Sequence, residues 1–127
     1  MKLIPELVEE KEWEPAGLKL ARSAREWIER HYAEKFSLSR LSGDLYVNGS
    51  YLLRVFKQYT GLTLLEYHNR YRCEKACEML RFSRRPISGI AEVCGFVSPS
   101  HFSHVFRREV GMSPGQYRKQ YQQSEEK

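Results

Sequence analysis

Apolar residues recur at helical spacing along almost the whole chain. Leu20, Ala24, Trp27 and Ile28 follow an i, i+4, i+7, i+8 stripe, which predicts an amphipathic helix over about residues 16–33. No segment has the alternating pattern of a strand. The pattern therefore predicts an all-α fold of seven helices, with the others at about 38–45, 50–60, 63–81, 87–94, 99–110 and from 114 onwards.

Local signals predict where these helices begin and end. Ser37 is suited to cap one helix, and Ser98 followed by proline is suited to start another. Gly61 and Gly111 are expected to close helices in the left-handed conformation. Pro86 stops the long helix before it, because proline lacks an amide hydrogen.

The chain contains an internal repeat. Residues 51–63 match residues 101–113 after a shift of 50, with the shared pattern apolar–x–x–Val–Phe–basic followed by Gly–apolar–Ser/Thr. A short amphipathic helix and a tight turn precede each copy, so each is a helix-turn-helix unit. Two copies are too few for a solenoid, which needs at least about three. The predicted organisation is an acidic segment or linker (1–14), a first unit (15–62), a linker helix (63–82), a second unit (83–123) and a frayed tail (124–127).

The repeat suggests binding to duplex DNA. In DNA-binding helix-turn-helix units, the second helix enters the major groove. The helical wheel predicts that Leu52, Val55, Phe56 and Tyr59 face the core in the first copy, as do Phe102, Val105 and Phe106 in the second. It leaves these residues outward: Ser50, Leu53, Arg54 and Lys57, and Ser100, His101, His104 and Arg107. Arg54 is the strongest candidate, because bidentate contact with guanine contributes about 1–3 kcal/mol of discrimination.

The linker helix is long enough for both units to engage one duplex. At about 1.5 Å per residue, residues 63–81 extend about 28 Å. Successive major-groove faces of B-DNA lie about 34 Å apart. One chain is therefore expected to span adjacent grooves without dimerising, because a rigid linker makes the second contact effectively intramolecular.

Charge and composition restrict the class of binding partner and the cellular compartment. Residues 1–14 carry a net charge of −3, and since the whole chain carries +5, residues 15–127 carry +8. This excess favours an anionic partner. No apolar run approaches the length of a membrane span. The amino end turns acidic before an apolar stretch of signal-peptide length accumulates, so we do not expect secretion. The 3 cysteines form no CxxC pair, which is typical of reduced, cytosolic thiols. We expect a cytoplasmic, nucleoid-associated protein with no membrane partner.

Two stretches carry a more specific pattern. The first has Ser37-Leu38-Ser39-Arg40-Leu41, then Ser50-Tyr51-Leu52-x-Arg54-x-Phe56-Lys57 and Gly61-x-Thr63. The second has Ile90-Ala91-x-x-Cys94-Gly95-Phe96, then Ser100-His101-Phe102-Ser103-x-x-Phe106-Arg107 and Gly111-Met112-Ser113-Pro114. Together they resemble the AraC/XylS-type DNA-binding domain over about residues 16–121. The resemblance implies seven helices, two helix-turn-helix units, and binding to double-stranded promoter DNA that activates or represses transcription in bacteria.

The resemblance also implies site residues and partners. Base-edge contacts fall on Ser50, Leu53, Arg54, Ser100, His101 and His104, and backbone contacts on Tyr51, Lys57, Arg72, Ser103 and Arg107. Leu53 is apolar where the family often has a polar residue, so it is expected to meet a thymine methyl or to add little specificity. RNA polymerase and a sensing domain preceding this one are expected partners, and no cofactor is expected.

Other interpretations of these residues carry less weight. Arg54 and Lys57 alone would suggest a solvated helix face. Cys94, His101 and His104 superficially suggest a metal site, but no fourth ligand is evident and core packing explains the cysteine better. Cys73 and Cys77 share a helix face, and free, partly buried thiols are favoured over a redox sensor.

Catalysis and protein interaction are two further classes of function for a small helical chain. The chain has no glycine-rich phosphate loop, no cluster of acids and no arrangement of serine with a base, so we do not expect an enzyme or a catalytic residue. A helical protein-interaction or regulatory module with vestigial DNA contacts is the alternative. Steep loss of DNA affinity with salt favours the regulator, and flat salt dependence favours the alternative.

Overall fold

The computed structural model describes residues 14–126, which fold into seven α-helices without a strand in that range. This confirms the all-α prediction, although the first helix ends at Arg30 rather than near residue 33. The acidic segment lies outside the described residues, apart from Glu14. The helices are α1 (Ala16–Arg30), α2 (Leu38–Asp44), α3 (Gly49–Thr60), α4 (Leu64–Phe82), α5 (Ile87–Val93), α6 (Pro99–Val110) and α7 (Pro114–Glu126).

Side-chain caps and left-handed glycines set the ends of these helices. Ser37, Asn48 and Ser98 each accept a hydrogen bond from the backbone N–H three residues later, at 3.2, 3.0 and 3.1 Å. Such a bond satisfies one of the amides that a helix start leaves without a partner. Gly61 and Gly111 close α3 and α6 with φ of +79° and +94°. The predictions for both serines and both glycines are confirmed, and Asn48 is a third cap.

The described chain divides into two compact units. Unit 1 contains the residues up to Trp27 together with Ser37–Leu64, and unit 2 contains Ile28–Phe36 together with the residues from Leu65 onwards. This division differs from the predicted one, because Ile28–Phe36 groups with the second helix-turn-helix unit and almost all of α4 belongs to unit 2. α7 runs to Glu126, into the segment 124–127 for which fraying is predicted.

Unit 1 packs α2 and α3 against α1. Trp27 of α1 is 4% exposed, and its indole Nε1 donates a hydrogen bond to Asp44 Oδ2 of α2 at 2.8 Å. The guanidinium of Arg40 lies over the same ring, 5.4 Å from its centroid. These contacts secure α2, so that α3 is held against a fixed surface by its buried residues Leu52, Val55 and Phe56.

Unit 2 has a core of α4, α5 and α6, and α4 also anchors the segment that follows α1. His68 Nε2 bonds to the carbonyl oxygen of Tyr32 at 2.9 Å. Arg72 donates from Nε to the same oxygen and from Nη2 to the oxygen of Glu34, both at 2.7 Å. Because side chains of α4 form hydrogen bonds to these carbonyls, residues 28–36 belong to unit 2. The buried core residues are Cys73, Ala76, Leu80, Ile90, Ala91, Cys94, Phe96, Phe102, Val105 and Phe106.

Side chains of α7 satisfy the carbonyl end of α4. Arg118 donates from Nε to Leu80 O at 3.1 Å and from Nη2 to Ser83 O at 3.2 Å. Gln122 Nε2 also donates to Ser83 O, at 3.1 Å. The last carbonyls of a helix otherwise have no partner within the helix, so these bonds fix α7 to unit 2. Across residues 14–126, none of the helices combines the length and the apolar character that a membrane span requires.

Candidate nucleic-acid interface

The exposed face of α3 is one of the two predicted reading surfaces. Leu52, Val55 and Phe56 are at most 4% exposed, so the helical period turns the intervening side chains to solvent. Tyr59, which the wheel predicts to face the core, is 40% exposed, and its ring lies beside Gly17 of α1. It packs at the edge of unit 1 because the last turn of α3 extends past the buried core. The four residues predicted to face outward are all exposed: Ser50, Leu53, Arg54 and Lys57.

The exposed face of α6 is the second predicted surface. Phe102, Val105 and Phe106 are at most 2% exposed and hold the helix against unit 2. The residues predicted to face outward are again all exposed, namely Ser100, His101, His104 and Arg107, and Ser103 is half-buried. A shallow depression of about 460 Å³ runs along this face, lined by Pro99, Ser100, Ser103, His104 and Arg107.

A row of contacting aromatic rings lies on the buried side of α6. The ring centroids of Phe96 and Phe102 lie 4.9 Å apart, those of Phe102 and Phe106 5.5 Å, and those of Phe106 and Tyr117 5.7 Å. The exposed ring of His101 also contacts Phe96 edge-on, at 5.8 Å. Such packed aromatic contacts fix the rotation of the helix. The side chains of the outer face are therefore presented from a rigid support.

The charge on both faces is cationic. α3 contains no aspartate or glutamate, and it carries Arg54 and Lys57 on its exposed face. The one acidic residue of α6, Glu109, forms ion pairs with Arg70 at 3.6 Å and with Arg108 at 3.7 Å. A carboxylate with two cationic neighbours contributes little negative potential to the outer face. Both faces are therefore suited to approach the phosphates of DNA.

Arg72 is not part of these surfaces, which corrects its prediction as a backbone-contacting residue. It is 7% exposed, and its guanidinium bonds to the carbonyls of Tyr32 and Glu34. The same group lies over the ring of Phe96, 5.4 Å from the centroid, and burial lowers its pKa. A buried guanidinium engaged in this way anchors residues 28–36, and it has no exposed face to offer a phosphate.

The turns of the two helix-turn-helix units differ at one position. Gly95 has φ of +88°, and a Cβ there would lie 2.3 Å from the carbonyl oxygen of Ala33. The residue after α2 and its cap is Tyr46, with φ of +58° and an exposure of 93%. The second turn requires glycine because the backbone of Ala33 lies against it. Sequence reasoning identified this turn but missed the contact, which carries no local signal.

Burial disfavours ionisation of the thiols of unit 2. All three cysteines are free, and burial raises the pKa of Cys73 to about 12 and that of Cys94 to about 11. Burial also raises the pKa of Cys77, which is less deeply buried. The prediction of free, partly buried thiols is confirmed for Cys77, whereas Cys73 is more deeply buried than predicted, at 2% exposed. Over residues 14–126, no group of three or more His, Cys, Asp or Glu side chains is placed to hold a metal ion.

Comparison with known proteins identifies the family. The sequence profile of a family described as a helix-turn-helix domain matches residues 41–120. The chain is also 42% identical over 92 residues to the HTH-type transcriptional activator RhaS of Escherichia fergusonii. It belongs to the AraC/XylS-type family. The match covers 72% of this AraC/XylS-type chain and 33% of RhaS, so the chain spans about a third of that relative's length.

Solved structures agree with this assignment. The C-terminal domain of AraT, a response regulator from Geobacillus stearothermophilus, has 34% identity and a TM-score of 0.76, covering 80% of this chain and 84% of that domain. The DNA-binding domain of AdpA, solved with a target DNA, has 28% identity and a TM-score of 0.78, covering 84% and 96%. The AraC/XylS-type chain is thus a helix-turn-helix DNA-binding domain of the transcription-regulator class and not an enzyme.

Proposed function

We propose that this domain binds specific promoter sequences by inserting α3 and α6 into adjacent major grooves of one duplex, and thereby regulates transcription. The observation that carries the proposal is that each unit presents a capped second helix with a buried inner face and a polar, cationic outer face. This is the arrangement by which helix-turn-helix proteins read DNA.

The exposed residues divide by the contacts they are suited to make. Arg54 suits the paired acceptors of guanine, and the short polar and imidazole side chains at the start of α6 suit other base edges. Leu53, 42% exposed, suits a thymine methyl. We assign base reading to Ser50, Leu53, Arg54, Ser100, His101 and His104, and backbone contacts to Tyr51, Lys57, Ser103 and Arg107.

The covalent connection between the units supports engagement of one duplex by both of them. Unit 1 ends at Leu64, the first residue of α4, and unit 2 continues from Leu65 within the same helix. A helical connection makes the second contact effectively intramolecular. We therefore propose that a single chain occupies two half-sites without dimerisation.

A sensing domain and RNA polymerase are further proposed partners, by analogy with a longer regulator. RhaS, of which this chain matches a third, is described as a transcriptional activator. By analogy we propose that a sensing domain precedes this DNA-binding domain in the regulator. We also propose that the regulator acts through RNA polymerase, at the bacterial nucleoid in the cytoplasm. Activation is the direction that the comparison with RhaS favours.

Fluorescence anisotropy tests the proposal. The probes are a duplex selected from a random pool and an unrelated duplex of the same length. We expect discrimination of about 10³-fold or more, and affinity that falls steeply with salt as counterions are released. Lys19→Ala, which removes an exposed charge on α1, is the control for charge removal outside α3 and α6. Equal affinity for both duplexes with flat salt dependence would refute the proposal and favour a protein-interaction module.

A further inference from the structure

Two exposed side chains of α3 contact each other. The guanidinium carbon of Arg54 lies 5.1 Å from the ring centroid of Tyr51, which is 40% exposed. This distance is within the range of about 6 Å over which a cation is attracted to the face of an aromatic ring. The two residues are three apart, so their side chains are neighbours on one helix face. The candidate base-reading arginine is therefore held by an aromatic ring.

The contact directs Arg54 towards the end of the helix that reads DNA. A reading helix contacts base edges with its N-terminal residues, whereas Arg54 lies in the second turn of α3. Long helical side chains lean towards the N-terminus, and the contact with Tyr51 places the guanidinium beside a residue one turn earlier in α3. The ring thus favours an orientation of this flexible side chain towards the N-terminal half of α3.

Tyr51 is itself well placed to act as a fixed support. Its backbone N–H donates to Asn48 Oδ1 at 3.0 Å, which secures the first turn of α3. The next residue, Leu52, is 0% exposed and fixes the rotation of the helix. The backbone that carries the ring is therefore held from both the cap and the core.

We infer that Tyr51 is a positioning residue for sequence readout, whose ring orients Arg54 towards its base pair. The inference rests on the proposed function and deepens it, because it gives Tyr51 a part in specificity beyond a contact with the DNA backbone. Orienting the guanidinium before binding lowers the entropy lost when it engages the base.

The second unit provides an internal control. His101 and His104 occupy the positions that correspond to Tyr51 and Arg54 after the shift of 50. The ring of His101 contacts the buried Phe96 at 5.8 Å, so the core of unit 2 orients it. Substitutions of these two histidines are therefore expected to act on specificity independently of each other.

The test uses a duplex selected from a random pool and its single-base-pair variants. Arg54→Ala first identifies the base pair at which discrimination depends on Arg54. Tyr51→Leu is expected to reduce discrimination at that base pair about 2- to 5-fold, the factor that corresponds to an exposed cation–π contact, and to leave other positions unchanged. Tyr51→Phe is expected to retain it, because the ring remains. Thermal melting verifies that each variant folds.

A double-mutant cycle separates positioning from an independent contact. In the Arg54→Ala background, Tyr51→Leu is expected to cause no further loss of discrimination at that base pair. By contrast, the losses of discrimination caused by His101→Ala and by His104→Ala are expected to add in the variant that carries both substitutions. Undiminished discrimination in Tyr51→Leu, or equal loss in Tyr51→Phe and Tyr51→Leu, would overturn the inference while the proposed function stands. A wild-type chain with no preference for the selected duplex would overturn the proposed function, and this inference with it.

Discussion

Replacing Gly95 with alanine tests how the second helix-turn-helix unit is built. The glycine has φ of +88°, where an L-residue costs about 1–2 kcal/mol. The added methyl would also lie 2.3 Å from the carbonyl oxygen of Ala33, so the backbone of the turn or of Ala33 must move. Overpacking of this kind costs about 1–3 kcal/mol. We therefore expect Gly95→Ala to destabilise the fold by about 2–5 kcal/mol.

Gly111→Ala is the matched control for this substitution. Gly111 has φ of +94°, but no atom lies within 4 Å of the position of its added Cβ. Only the backbone cost of about 1–2 kcal/mol applies there. Urea denaturation followed by far-UV circular dichroism measures both free energies of unfolding. A loss for Gly95→Ala no larger than the loss for Gly111→Ala would refute the contact between the turn and the backbone of Ala33.

Three further predictions follow from named contacts. Arg54→Ala should relax sequence preference, whereas Lys57→Ala should weaken binding to all duplexes alike and lower the slope of log affinity against log salt concentration by about one. Binding titrations over a salt series measure both effects, and equal effects of the two substitutions would contradict the assigned roles. Phe106→Ala removes a side chain that is 0% exposed, and should cost about 3–5 kcal/mol in denaturant unfolding; a loss below about 1 kcal/mol would contradict its place in the core. Burial lowers the pKa of His68 below its ordinary 6.5, so the unfolded chain binds the proton more readily and stability should fall as pH drops below 6.5. His68→Gln should flatten that decline, and an unchanged pH profile of unfolding would rule out His68 as its source.

Local chemistry explains why much of the fold is predictable from the sequence. Ser37 and Ser98 cap helices through bonds to amides three residues later, and Gly61 and Gly111 close them through their own backbone freedom. Each of these features depends on a few neighbouring residues. The inner and outer faces of α3 and α6 follow from helical periodicity in the same way.

Features set by distant partners were not predictable. Arg72 looks like an exposed cation in the sequence, but it is buried because its partners are carbonyls of residues 32 and 34, far earlier in the chain. The same bonds draw residues 28–36 into unit 2, which no periodicity indicates. Tyr59 fits the apolar stripe of α3 yet is 40% exposed, because the stripe extends beyond the core that it covers.

The central claim is that one chain reads two adjacent major grooves. Sequencing of duplexes selected by the chain from a random pool tests it most directly. The account predicts two recognised half-sites whose centres are separated by about one helical turn, roughly 10–10.5 base pairs, on every bound duplex. A single half-site, or two half-sites with no fixed spacing, would contradict it.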